Sequence, residues 1–385
     1  MNAPETISSH LHPTPSWEPD FHPRPHGREE VWRFTPIERF APLFDSEGVS
    51  ARWTSELPAN VTSQIIDIDK AREISWDAPV DLVATNAVYA GDKSAQLITV
   101  PAETIVDEPI TIFLDADEQT RFGHLIVQIG HHARATVVLR HSGSGSLASK
   151  VEFTVDESAQ LDLLSLQDWQ VGAVHGSQLS IKVGRDAHVR TVQASIGQGT
   201  VRIVERAEYD GPGGVLEQLG IYFAQSDQHV EHRLFVDHNA PHTESHVDYR
   251  GALQGKGAHS VWIGDVLIRS VAEDIETYES NKNLVLTEGC RADSVPNLEI
   301  ETGEIRGAGH SSSTGRFDEE QLFYLRSRGI PEDKARRLIV EGFFLDIIGR
   351  IRLPEIEKRL VKALDDQLAS IEGVAHESLL SAEEN

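Results

Sequence analysis

Cysteine and long apolar runs are nearly absent from this sequence of 385 residues. It contains one cysteine, Cys290, which excludes an internal disulfide framework and is typical of a reducing compartment, so we expect a cytoplasmic protein. Because no stretch of 18 or more apolar residues occurs, the sequence predicts no membrane span. The N-terminus has neither a basic start nor an apolar stretch, and we therefore do not interpret it as a secretory signal.

Positive charge is also scarce. The 35 Lys and Arg residues are outnumbered by 61 Asp and Glu residues, and the formal net charge is −26. Such a surface repels phosphate backbones and anionic lipid, so we expect neither nucleic acid nor membrane as a partner. The same charge argues against an enzyme that acts on acidic polysaccharide. Apolar residues make up 39% of the chain, which is enough to build a sizeable core.

Composition divides the chain into five segments. Residues 1–27 are rich in Pro and His, which predicts a disordered arm. Residues 28–75 mix charge with aromatic side chains, and we expect an N-terminal helical region there. Residues 76–317 form a β-rich core, residues 318–371 a helical domain, and residues 372–385 an acidic tail.

The β-rich core carries a weak internal repeat. No sustained 3.6-residue periodicity occurs between Val80 and Leu286, which indicates one long all-β region. Within it, similar units of a turn, a small residue and a β run recur at spacings of 26, 28, 27 and 26 residues. They begin at Ala133, Ala159, Ala187, Gly214 and Ala240. A fixed period of this size in strands without helices predicts a β-helix or solenoid, and a twisted β-sandwich is the alternative.

Helix signals return after the β-rich core. Asp318 can cap a first helix, which should end at Gly329. Prolines then open two further helices, over about 331–349 and 354–371. The sequence therefore predicts a small helical domain that is appended to the β core.

Two features that could carry chemistry have simpler interpretations. The glycine-rich stretch from Gly251 to Gly257 resembles a phosphate-binding loop, but it is one residue short between its glycines and lacks the Ser or Thr that would hold Mg²⁺. We interpret it as a turn and do not expect this chain to be an ATPase. Cys290 has only Arg291 beside it as an activating neighbour, so we interpret it as a bystander thiol.

Histidine is abundant in the centre of the chain, at positions 229, 232, 238, 242, 246 and 259. His242, Glu244, His246 and Asp248 would share one face of a strand, because side chains alternate along strands. Their spacing matches no standard zinc pattern, and a solvated outer face is the simpler interpretation. A metal-dependent enzyme built on this histidine cluster is the alternative.

The most specific signal lies between Asn281 and Phe344. This segment contains the run PNLEI at 296–300, a His-x-x-x-Thr-Gly pattern at 310–315 and the block DEEQLFYLRSRGI at 318–330. In these motifs the sequence resembles the SufB/SufD family of iron–sulfur cluster assembly proteins, and most of all its SufD-like members. The resemblance is strong over the last quarter of the chain and looser over the β-rich core, and it does not cover the Pro/His arm.

The resemblance implies both a fold and a role. The fold is a right-handed parallel β-helix core between an N-terminal helical region and a C-terminal α-helical domain. The role is that of a non-catalytic scaffold in a SufBCD-type complex. Such a chain pairs with a SufB-like paralogue through the β-helix and with a SufC-like ABC ATPase through the C-terminal helices, so that ATP enters only through that partner.

The resemblance also implies a site shared with the partner. His310 matches the histidine that SufD-like motifs place at the SufB interface, and we expect it to be this chain's ligand to the nascent cluster. A chain with one thiol cannot hold a conventional iron–sulfur cluster alone. This sequence has Ala308 where SufD-like sequences often have a cysteine. The alternative is that His310 is a hydrogen-bonded structural histidine.

We expect the ATPase to dock on the first two C-terminal helices. The candidate contacts are Phe323, Tyr324, Arg328, Gly329, Phe343 and Phe344. Packing within the helical domain is the alternative role for these aromatic side chains. An exposed strand edge would also allow the isolated chain to form a homodimer.

Overall fold

A computed structural model describes residues 13–351, 353, 354 and 356–368. The first twelve residues of the predicted arm, the end of the third predicted helix and the predicted acidic tail at 372–385 lie outside the described residues. Within the described part, no helix has both the length and the apolar character needed to cross a bilayer.

Two sheets of mainly parallel strands form the body of the molecule. Sheet A contains β1 (Val49–Ser50), β3 (Thr62–Asp67), β4 (Ser94–Val100), β6 (Thr120–Ile129), β8 (Ser146–Val155), β10 (Val174–Gly184), β12 (Thr200–Asp210), β14 (His229–His238), β16 (His259–Ile268) and β18 (Arg291–Ile300). Sheet B contains β2 (Thr54–Glu56), β5 (Ile110–Ala116), β7 (Arg134–Gly143), β9 (Gln160–Trp169), β11 (His188–Ser195), β13 (Val215–Ala224), β15 (Glu244–Leu253), β17 (Glu276–Val285) and β19 (Gly307–Arg316).

The chain alternates between the two sheets from β4 to β19, so that each pair of strands completes one turn of a coil. About eight turns stack, and each strand pairs in parallel with the strand two places along the chain. This is a parallel β-solenoid, which confirms the predicted fold class and excludes the sandwich alternative.

A backbone ladder at one edge explains the sequence repeat. His132, Ser158 and Asp186 have positive φ angles of 55°, 57° and 51°, and each is followed by a buried alanine. The N–H of Ser158 donates to the carbonyl oxygen of Arg185 in the next turn at 2.8 Å, and that of Asp186 donates to Pro212 at 3.0 Å. The small residue after the turn lets successive turns approach closely, as the repeat predicted.

The fifth unit of the repeat begins at Thr243, and its predicted start at Ala240 is wrong. His242 has the positive φ of 59°, its N–H donates to the carbonyl oxygen of Glu273 at 2.8 Å, and Thr243 is fully buried. Thr243 follows Gly214 by 29 residues, because the turn between β14 and β15 is longer than those before it. A constant period therefore misplaces this unit by three residues.

A short helix, α2 (Leu82–Tyr89), interrupts the region that was predicted to be all β. The side chain of Asp81 caps it by accepting a hydrogen bond from the N–H of Ala84 at 2.9 Å. Residues 83–88 are all buried. Because a helix covered on nearly every side has no polar face, its sequence lacks the amphipathic period that would have identified it.

The predicted N-terminal helical region is only partly helical. Residues 28–75 form 3₁₀ helices at Glu30–Trp32 and Ile37–Leu43, the helix α1 (Ile68–Ile74) and the three short strands β1 to β3. Of these strands, β2 and β3 run antiparallel to β5 and β4. They lie at the first end of the solenoid and reverse its strand direction there.

Residues 13–27 pack on the solenoid, which differs from the disordered arm that the sequence predicted. The hydroxyl of Tyr89 donates to the carbonyl oxygen of Trp17 at 2.5 Å. The ring Nε2 of His22 lies 2.9 Å from the carbonyl oxygen of Pro79. Prolines forbid regular structure here, but these contacts hold an irregular segment in place.

The C-terminal helices begin and end close to the predicted positions. Asp318 caps α3 (Glu319–Ser327) by accepting hydrogen bonds from two backbone N–H groups, at 2.9 and 3.2 Å. Gly329 has a φ of 84°, as expected for the residue after a helix. The helix α4 (Glu332–Ile348) follows Pro331, and residues 354 and 356–368 are also helical.

Each sheet has its outer face covered by a different part of the chain. The N-terminal residues Trp32, Phe40 and Leu43 pack in one apolar cluster over sheet A. The C-terminal helices pack over sheet B in a second cluster, which includes Leu219 of the sheet and Phe344 of α4. The described residues of these two clusters leave the last turn of the solenoid, β18 and β19, uncovered.

Candidate functional site

The last turn of the solenoid forms an open end. The strands β18 and β19 terminate the two sheets, and no strand among the described residues pairs with their outer edges. Their free backbone N–H and C=O groups can pair with a strand of another chain. Two apolar side chains near this end, Tyr278 and Ile300, are 43% and 49% exposed. The open end is therefore suited to an interface.

His310 lies on β19 at this open end. Its backbone is in register with Glu279 of β17, the preceding strand of sheet B. The side chain is exposed, and no described residue hydrogen-bonds to its ring. Within the described residues His310 thus lacks the side-chain hydrogen bond that a structural role would use. The ring nitrogens are available to a ligand or a partner.

A chain of hydrogen-bonded polar groups leads from the buried interior to the exposed open end. Within β17 the amide of Asn283 donates to Asn281 at 2.7 Å, and the hydroxyl of Tyr222 donates to Asn283 at 2.6 Å. The hydroxyl of Ser294 donates to Asn281 at 2.7 Å, and that of Ser312 donates to Ser294 at 2.8 Å. These groups satisfy one another, so the polar interior is ordered up to the last turn.

Sequence reasoning missed Glu279, which is fully buried beneath the open end. Neither of its carboxylate oxygens has a hydrogen-bond partner among the described residues. Burial, with a contribution from the charge of Asp265, raises the pKa of Glu279 to about 8. The signal that could have found it is its spacing, because Glu279 precedes His310 by 31 residues, or one turn of the solenoid.

A second buried carboxyl, Glu205, lies deeper in the interior. It accepts a hydrogen bond from the hydroxyl of Tyr249 at 2.6 Å and one from the amide of Gln218 at 3.3 Å. Burial outweighs these hydrogen bonds and raises the pKa of Glu205 to about 7. The folded protein therefore holds a proton on this group over a pH range in which the unfolded chain has lost it.

Replacement of this carboxyl, Glu205→Gln, is expected to raise the free energy of unfolding at pH 8 by about 2–3 kcal/mol. Between pH 4.5 and about 7 the folded protein binds more protons at this position than the unfolded chain, so wild-type stability falls as pH rises. Because glutamine cannot ionise, the free energy of unfolding of the variant lacks this pH-dependent contribution. Urea unfolding from pH 5 to 8 measures the effect. If the free energies of unfolding of wild type and variant change with pH in parallel, the pKa of Glu205 is not raised in the folded protein.

The six central histidines do not come together. His229 and His259 are neighbours on the outer face of sheet A, with their Nδ1 atoms 3.1 Å apart. The remaining four are separated between the buried interior, a turn and the outer face of sheet B, at His232, His238, His242 and His246. Within the described residues, no three His, Cys, Asp or Glu side chains are placed to hold a metal ion. The described part of the chain therefore does not gather these six histidines into one metal site.

The predicted ATPase contacts in and after α3 lie on the surface. Phe323 and Tyr324 are 74% and 57% exposed, and the guanidinium of Arg328 lies 5.2 Å from the ring centre of Tyr324. These large side chains project beside Gly329. Exposed aromatic groups of this size are typical of protein interfaces.

The structure corrects one of the predicted ATPase contacts. Phe344 is fully buried in the cluster that attaches the helices to sheet B, so its side chain cannot contact a partner. Phe343 is half-buried and lines an apolar groove with Leu284, Leu325 and Leu338. Phe343 therefore stays a candidate contact, whereas Phe344 has a packing role.

The glycine-rich stretch and the cysteine have structural roles. Gly251 lies in β15, where a Cβ atom would come within 1.9 Å of the ring of Tyr222. Gly255 and Gly257 have positive φ angles of 83° and 80° in the turn that follows. Cys290 is half-buried, and its thiol lies 3.3 Å from the carbonyl oxygen of Gly255. The stretch thus positions a strand and a turn.

Comparison with known proteins identifies relatives over most of the chain. Residues 112–343 match the family model for the SufBD core domain of the SUF system of FeS cluster assembly. An iron–sulfur cluster assembly SufBD family protein of Mycobacterium tuberculosis is 47% identical over 365 residues, which cover 92% of this chain and 91% of that protein. A SufBD family protein of Mycobacterium leprae is 43% identical over 368 residues, covering 93% and 94%. The iron–sulfur cluster assembly protein SufD of Bacillus subtilis is 23% identical over 277 residues, covering 69% and 62%.

Proposed function

Because this chain belongs to the SufBD family, with a role in iron–sulfur cluster assembly by the SUF system, we propose that it is a scaffold subunit of a SufBCD-type complex in the cytoplasm. In this proposal it carries out no catalysis itself. It pairs with a SufB-like paralogue through the open end of the solenoid and with a SufC-like ABC ATPase through the C-terminal helices.

The observation that carries the proposal is the open end. The strands β18 and β19 end the solenoid, and their outer edges have no partner strand in the part of the chain that the structure describes. A paralogue with the same architecture offers edges of the same kind, so that the two solenoids can join end to end by backbone pairing. The isolated chain can use the same edges to form a homodimer.

In this proposal His310 is the residue of the interface that binds iron. An exposed imidazole at the open end is a suitable ligand for iron, which is cargo and not a resident cofactor of this chain. With its single thiol the chain holds no cluster alone, so the partner supplies the remaining ligands, including thiolates. The nascent cluster is thus shared across the interface.

The exposed surface of α3 and the groove beside α4 support the ATPase contact. Phe323 and Tyr324 are exposed on α3, and Phe343 lines the groove. Such aromatic side chains are frequent hot spots of protein interfaces. Nucleotide binding and hydrolysis belong to the ATPase, and the helical domain transmits its movement to the solenoid.

The substitution Phe323→Asp is expected to reduce co-purification of the SufC-like ATPase at least about tenfold while the SufB-like paralogue stays bound. The measurement is affinity purification of the three co-expressed chains, followed by quantification of each subunit. The matched control is Val171→Asp, since both side chains are 74% exposed and neither substitution should disturb the fold. ATPase retention by the Phe323 variant would refute this docking surface. Failure of the wild type to bind either partner would refute the scaffold role.

A further inference from the structure

Glu279 differs from the buried carboxylates Glu152, Glu205 and Glu231 in having neither a counter-charge nor a hydrogen-bond partner among the described residues. Glu152 lies against Lys150, and Glu231 accepts hydrogen bonds from Arg202 and Arg233 at 3.2 and 2.7 Å. Glu279 is equally buried, yet both of its oxygens lack a partner among the described residues. Burying a carboxyl without hydrogen bonds costs several kcal/mol, and groups retained at such a cost are frequently functional.

Asn281, the polar neighbour of Glu279 two positions along β17, is already occupied by other partners. The amide of Asn281, on the same face of β17, donates to the hydroxyl of Tyr222 at 3.0 Å, and its side-chain oxygen accepts from Asn283 and Ser294. Its donors therefore point away from Glu279. The carboxyl of Glu279 is thus left without a hydrogen-bond donor among the described residues.

Glu279 lies one turn below His310. The two residues are in register on neighbouring parallel strands, so their Cα atoms are about 4.8 Å apart, and both belong to the inward-facing positions of sheet B. Across the interior, Gly264 of β16 makes room for the carboxyl, because a Cβ atom there would come within 2.8 Å of Glu279 Oε1. The carboxyl thus lies directly beneath the open end.

We propose that Glu279 and His310 together form this chain's iron-binding site, with the carboxylate as a second ligand beside the imidazole. This inference rests on the proposed function and extends it. A carboxylate and an imidazole are a suitable mixed ligand pair for Fe²⁺. The Glu279 carboxyl would release its proton to solvent when the ion binds, and the resulting carboxylate would supply the negative charge that His310 lacks. His310 is exposed at the open end, so an ion bound to its ring would be within reach of ligands from a partner.

The test is anaerobic titration of the isolated full-length chain with ferrous ion, followed by calorimetry, with Co²⁺ as a spectroscopic probe of the ligand set. Wild type is expected to bind one ion. Glu279→Gln and His310→Ala should each weaken binding at least about tenfold, since even supporting residues of metal sites have effects of that size. Glu205→Gln is the matched control, because it removes another buried carboxyl away from the open end and should bind as wild type does.

Glu279→Met is a second variant that fills a similar volume without an oxygen ligand, and it keeps the test decisive if the glutamine variant folds poorly. Binding by either well-folded Glu279 variant with wild-type affinity would overturn the proposal, and so would the absence of binding by wild type. If His310→Ala alone weakens binding, Glu279 is excluded while His310 survives as a ligand. Failure of the scaffold role is recognised separately, by the loss of both partners in co-purification.

Discussion

The substitution His310→Ala is expected to leave the assembled complex intact and to lower its iron and sulfide content about tenfold. The side chain of His310 is exposed on the last strand of the solenoid and makes no hydrogen bond within the described residues, so its truncation should not disturb the fold. The measurement is iron and sulfide per complex after anaerobic purification, with size-exclusion chromatography to establish that all three subunits are present.

The control for this experiment is a second exposed histidine, His242. Its ring Nδ1 lies 2.9 Å from a carboxylate oxygen of Asp274 in a turn of the solenoid, and its side chain is 62% exposed. His242→Ala should therefore leave the cluster content unchanged. A His310→Ala complex with the wild-type content of iron and sulfide would show that this subunit is architectural and that the ligands lie in its partners.

Lys150→Met is expected to lower the free energy of unfolding by about 3–5 kcal/mol at neutral pH. Lys150 and Glu152 are both buried and form an ion pair on the outer face of β8. Burial alone would raise the pKa of Glu152, but Lys150 and a hydrogen bond to His124 lower it to about 2. Removing Lys150 leaves a buried charge that His124 does not compensate, because burial lowers the pKa of His124.

The double variant Lys150→Met/Glu152→Gln separates the charge effect from the packing effect. Replacing both partners of a buried ion pair is often close to neutral, so most of the lost stability should return. Urea unfolding at pH 7 compares the three proteins. If the single and double variants are equally unstable, the loss arises from packing against Trp17, whose ring centre lies 5.3 Å from the lysine nitrogen.

The solenoid could be predicted from the sequence because its repeat has a local cause. Each turn needs a residue with positive φ and then a small buried residue, and this pair recurs at Ala133, Ala159 and Ala187. The helix α2 could not be predicted in this way, since burial on nearly every side removes the amphipathic period. The packing of Trp17 could not be predicted from the sequence either, because it depends on contacts with residues more than seventy positions away.

The candidate site was predicted in part. The motif around His310 identified a residue that does lie at the open end, and its role as a ligand stays a prediction. The density of histidines in the sequence suggested a metal site as an alternative. The structure separates them because neighbours in sequence point to opposite faces of a strand, as buried His232 and outward-facing His229 do. Glu279 was missed because its significance depends on register between turns. A composition-based analysis does not test for residues that are one turn apart.

The two ends of the solenoid have different geometries, and this asymmetry limits how copies can stack. One end offers the long parallel edges of β18 and β19, whereas the other offers β2 and β3, strands of three and six residues that run in the reverse direction. A head-to-tail stack would place edges of opposite direction against each other and would not continue the parallel ladder. If two open ends pair with each other as proposed, the pairing uses the free edges of both, so the assembly would close at two solenoids and would not grow into a filament.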